Sequence, residues 1–94
     1  MTVAEILSKA GESETEALQE HAMLLCMSKV SRFEAECAQF QAKYGKQFDA
    51  LRNQVQNVQE KEDFETEDDL MDWEYAHSAL VWWRERIEEL RNAG

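Results

Sequence analysis

Ninety-four residues make one domain at most, and a chain this short is marginally stable alone. Hydrophobic residues at 44% beside 32% charged set it apart from a disordered acidic tail, and the absence of proline with only three glycines points to helix. A net charge of −10 repels phosphate backbones and disfavours direct nucleic-acid binding, while it attracts a basic protein partner.

Near the start the apolar run is short and interrupted by Glu5 and Lys9. No basic leader or small-residue cleavage site accompanies it, so neither a signal peptide nor a membrane span is expected. Cys26 and Cys37 lie eleven residues apart. On one helix that is about 16 Å, too far for an intrachain disulfide. Free thiols facing a core fit a cytoplasmic location. His21, Cys26, Cys37 and His77 are too widely spaced for a zinc site.

The first element is predicted over 2–10. Thr2 caps it, Val3, Ile6, Leu7 and Ala10 share a face, and Gly11 ends it. A long helix follows over about 13–44, opened by Ser13 with Glu16 at capping-box spacing. Its apolar residues Met23, Cys26, Val30, Phe33, Cys37, Phe40 and Tyr44 advance in steps of three and four, a heptad seam. Leu18, Leu25 and Met27 fall beside it. Gly45 supplies the C-terminal cap, with Lys43 in the last turn where a cation is favoured.

A short third helix is predicted over about 46–56, with Phe48, Leu51 and Val55 on one side. Residues 57–63 read as a polar joint. The second long helix is expected over about 66–91, with Thr66 as its cap and Glu67, Asp68 and Asp69 at its positive start. Its seam is Trp73, Ala76, Leu80, Trp83, Ile87 and Leu90. The fold class is all-α: two long antiparallel helices with short additional ones. A hairpin leaves apolar flanks exposed, so a homodimer completing a helical bundle is expected.

Charge is not spread evenly. Residues 60–74 hold nine acids and one base, so eight of the ten net negative charges fall in one stretch. Either this is a solvated helix start and loop, or it is a surface for a cationic partner. A calcium loop would need a glycine at its turn, and none lies between Gly45 and Gly94. Trp73 and Trp83 sit on the seam as core. Trp82 does not; with Tyr75 and Ala79 it forms a second stripe about 100° away. That stripe is either the edge of a wide core or a partner surface. Glu74 and His77 match one half of a di-iron motif, but they point away from the seam and lack the remaining ligands. No nucleophile motif or glycine-rich phosphate loop is present, so neither an enzyme nor a cofactor is expected.

The segments FEAECAQFQAKYGKQFDALR (33–52) and EDFETEDDLMDWEYAHSAL (62–80) together resemble small acidic helical proteins of prokaryotic toxin–antitoxin gene pairs. Aromatics at Phe33, Phe40, Tyr44 and Phe48 surround a Lys-Tyr-Gly turn. An acidic stretch then leads into the helix bearing Met71, Trp73 and Glu74. The resemblance spans residues 32–90, about two thirds of the chain, and leaves out the segment before Ser28, His77 and Trp82. It implies an antitoxin-like protein that covers the site of a small basic toxin. Self-regulation through DNA is not expected, because no basic module is present. From the charge and the aromatic stripe, the expected partner-binding residues are Glu67, Asp68, Asp69, Asp72, Tyr75 and Trp82. The alternatives are a structural helical adaptor whose acid only solubilises, and an acidic mimic of nucleic acid.

Overall fold

The computed structural model describes residues 1–57 and 64–93, and all its regular structure there is helical: α1 (Val3–Lys9), α2 (Glu14–Tyr44), α3 (Phe48–Asn57) and α4 (Phe64–Asn92). Of the expected joint, only Asn57 falls within these residues, as the last residue of α3; residues 58–63 lie outside them.

Local chemistry accounts for the helix ends. The Thr2 hydroxyl accepts a hydrogen bond from the Glu5 amide, and the Ser13 hydroxyl accepts one from the Glu16 amide. Each satisfies one of the orphan donors of a first turn. Gly45 closes α2 in the left-handed region, φ 62°, donating its amide to the Gln41 carbonyl. A side chain there would strain the backbone. At α4 the start differs from expectation. The helix begins at Phe64, so Thr66 lies inside the first turn, half-buried and hydrogen-bonded to Tyr44, not at the cap.

The two long helices pack antiparallel. Phe40 stacks on Trp73, Tyr44 bonds to Asp69, and Glu34 pairs with Arg84 at 2.7 Å, so α4 runs back along α2 as its numbers rise. Phe33, Ala76 and Leu80 form the buried centre, with Val30, Cys37, Ala79 and Trp83 packed around it. Cys26 and Trp73 are buried further along the seam, while Met23, Phe40, Tyr44, Ile87 and Leu90 are half-buried. Spacing in threes and fours thus puts one stripe of each helix against the other.

Helix α3 covers one flank of this hairpin. Leu51 is buried beneath it, and the Phe48 ring lies 5.5 Å edge-on from Trp73 and 6.2 Å stacked on His77. Among the described residues the opposite flank has no such cover.

The register brings the end of α4 level with about His21, so the first two turns of α2 extend beyond it. Helix α1 folds back on that extension. The shared face expected for α1 is hardly used: Leu7 is half-buried, but Val3 is 74% and Ile6 51% exposed. No α4 side chain reaches far enough to cover them.

The result is a rod of 66 × 28 × 17 Å with a radius of gyration of 19.8 Å. A compact chain of this length would have about 12 Å. Its accessible surface is 7250 Å². Scaling with mass gives about 5,600 Å² for a compact monomer. No helix among the described residues is long and apolar enough to cross a membrane.

Candidate functional site

Neighbouring carboxylates of the acidic stretch part company on α4. Helical geometry turns successive residues by about 100°. Asp69 faces α2, where its carboxylate accepts hydrogen bonds from the Lys43 ammonium and the Tyr44 hydroxyl, each at 2.5 Å. Glu65 joins from one turn earlier, 2.8 Å from Lys43. Asp68 and Asp72 are exposed on the uncovered flank, and Glu67 is exposed at its outer edge.

Asp69 therefore departs from the expected set of partner-facing residues. It ties the two long helices together at their turn end and is not free to pair outward. Its ionisation follows. The Lys43 bond, then the Tyr44 bond, hold the Asp69 carboxyl below its ordinary range. Bonds to Asp69 and Glu65 raise the Lys43 ammonium. Burial, then the bond to Asp69, raises the Tyr44 phenol, with the Thr66 bond opposing in part. Nothing local in the sequence signals this trio, because its partners are 25 and 26 residues apart.

The uncovered flank carries aromatic area beside the remaining acid. Tyr75 is 67% exposed, with its ring edge-on to buried Phe33 at 6.0 Å. Trp82 is 48% exposed, set at 87° to Trp83 and capped by the Arg86 guanidinium 4.6 Å from its centroid. Arg86 also reaches Glu89 at 3.1 Å. Phe64 and Met71 lie on the same stripe and are exposed, which the sequence reading missed. Their signal was the seven-residue step from Phe64 to Met71, matched by that from Tyr75 to Trp82. One α4 face thus presents four large apolar side chains, interleaved with Asp68 and Asp72, to open solvent.

A second concavity lies on the flank that α3 covers. It is a cleft of about 380 Å³ lined by Cys37, Phe48, Arg52, Trp73, Glu74 and His77, among others. Burial, then the neighbouring Glu36 charge, pushes the Cys37 thiol up, with Arg84 opposing. That favours the thiol over the reactive thiolate. Arg52 is engaged with Asp49 at 3.0 Å, and His77 stacks on Phe48. Among the described residues, no three His, Cys, Asp or Glu side chains group so as to hold a metal ion.

No protein-family model, curated protein or solved structure matches the chain. Nothing in these comparisons bears on the toxin–antitoxin resemblance.

Proposed function

We propose that this is an antitoxin-like protein-binding module, which self-associates and uses the open flank of α4 to cover the site of a small basic protein. The observation that carries the reading is the joint exposure of Tyr75 and Trp82 beside Asp68 and Asp72, on the flank that α3 leaves bare. Carboxylates bring a cationic surface in and raise the association rate, and desolvated aromatic area holds it. Glu67 contributes at the edge. Asp69 contributes by holding α4 against α2, so that the flank is presented as one rigid strip. Self-association is supported by the surface excess of the single chain, about 1,600 Å² over the compact expectation, which exceeds the roughly 800 Å² that each partner buries in a standard interface.

The test is the product of the neighbouring open reading frame, if small and basic, co-expressed and purified with this chain. Association of the two should slow as salt rises, since screening acts over about 8 Å at physiological ionic strength. Asp68→Asn with Asp72→Asn should slow association further, and Trp82→Ala should speed dissociation. A salt-independent rate, unchanged in all variants, would leave the acid as solubilising charge on a helical adaptor.

A further inference from the structure

The exposed apolar residues are not confined to the α4 flank. A second group gathers at the other end of the rod. Val3, Ile6, Leu18, Leu24 and Leu25 are all exposed, Leu18 and Leu24 at 69% and 65%. Leu24 lies on the back of α2, turned away from the seam, with Leu18 and Leu25 beside it around the helix. Next to them α1 and α2 enclose a shallow groove of about 470 Å³ lined by Val3, Ala4, Leu7, Ala17 and Leu18, with Glu14 as its one charged residue. At Leu18 and the groove α2 runs past the end of α4, while Leu24 and Leu25 lie alongside α4 but face away from it, so among the described residues nothing covers this surface.

We propose that a second copy of this chain covers it, with the N-terminal ends of two rods packed antiparallel about a two-fold axis near Leu24. The proposal rests on the self-association put forward above and fixes where it happens. Two observations select this occupant and this end. The first is area. Burying an aliphatic side chain is worth 1.5–3 kcal/mol at 25 cal/mol/Å², which corresponds to roughly 60–120 Å² each. Five such side chains, exposed by half or more in most cases, therefore offer roughly 180–360 Å² of apolar area per copy. With the polar area that makes up somewhat over 40% of an ordinary interface, the upper end of this range reaches roughly 600 Å² per partner, the lower limit of a specific complex.

The second is charge. Each chain carries −10, with six carboxylates and no base among the described α4 residues before Tyr75. Any dimer must keep those two blocks apart. Asp69 lies about 30 Å along the rod from the level of Leu24, so the antiparallel arrangement separates the blocks by about 60 Å, several screening lengths. Pairing through the α4 flank would bring them within about 20 Å and would occupy Tyr75 and Trp82. The N-terminal arrangement leaves both flanks open, at opposite ends of one particle.

Sedimentation equilibrium and small-angle X-ray scattering at micromolar concentration test this. The wild type should have twice the 11.0 kDa chain mass. Its longest dimension should rise from the 66 Å of one rod to roughly 100 Å, since the rods overlap over about twenty residues. Leu18→Glu with Leu24→Glu should give monomers of unchanged helicity, because both positions are exposed. Trp82→Glu should remain dimeric. A wild-type monomer overturns both self-association and its placement. A dimer that survives Leu18→Glu with Leu24→Glu, dissociates with Trp82→Glu, or stays near 66 Å long overturns the placement alone. The double variant should still bind a basic partner, which separates this result from the partner reading.

Discussion

Truncating Trp73 tests the packing most sharply, because this side chain joins three helices. It is 3% exposed, and its indole meets Phe40 and Tyr44 of α2 at 5.8 and 6.4 Å and Phe48 of α3 at 5.5 Å. Trp→Ala in a core typically costs about 3–5 kcal/mol. Each aromatic pair lost adds about 0.5–1.5 kcal/mol beyond the area term, which puts Trp73→Ala toward the upper end of that range. A domain of this size has about 5–14 kcal/mol in total. At about 4–8 °C per kcal/mol, the melting temperature should fall by at least about 12 °C. The assay is thermal unfolding followed by far-ultraviolet circular dichroism, with the near-ultraviolet signal reporting aromatic packing. Trp82→Ala, at a half-exposed position, is the control and should shift the midpoint far less. A Trp73→Ala midpoint within about 5 °C of wild type would refute the three-helix packing around the indole.

Three further outcomes are expected. The Lys43–Tyr44–Asp69 tie should give stability a defined pH window. Depression of the Asp69 carboxyl means its contribution is present above the unfolded value of about 3.9 and is lost as pH falls through the lower folded value. Elevation of Lys43 and Tyr44 means theirs are full below about 10 and are lost as pH rises through the folded values. Asp69→Asn should therefore lower the melting temperature between pH 5 and 9 and converge on wild type as pH falls through the depressed Asp69 value, whereas Asp68→Asn should be neutral or stabilising throughout; equal behaviour of the two variants would contradict the geometry. Gly45→Ala should cost about 1–2 kcal/mol for the left-handed backbone alone, since no atom lies within 4 Å of the added carbon; denaturant titration checks it. Cys26 and Cys37 should react slowly with a thiol reagent in the folded chain and quickly in urea, and an oxidised sample should contain no intrachain disulfide by mass.

Helices are the part of this protein that neighbouring residues decide. Ser13 caps its own helix through the amide three residues on, Gly45 ends α2 because glycine tolerates a positive φ, and three-four spacing marks the seam from Met23 to Tyr44. Each is a relation within one or two turns and so is visible in the sequence. Side-by-side residues that differ only in what lies opposite them were not separable in that way. Asp68 and Asp69 are chemically identical, yet the α2–α4 register turns one to solvent and the other onto Lys43 and Tyr44. Trp82 and Trp83 split between the open flank and the core for the same reason. The side on which α3 docks decides which flank stays bare, and the point where α4 ends decides that Val3, Ile6 and Leu18 stay uncovered. These outcomes depend on contacts between helices, most of them across 25 residues or more of chain, where register and docking side select the partner and local periodicity has no say.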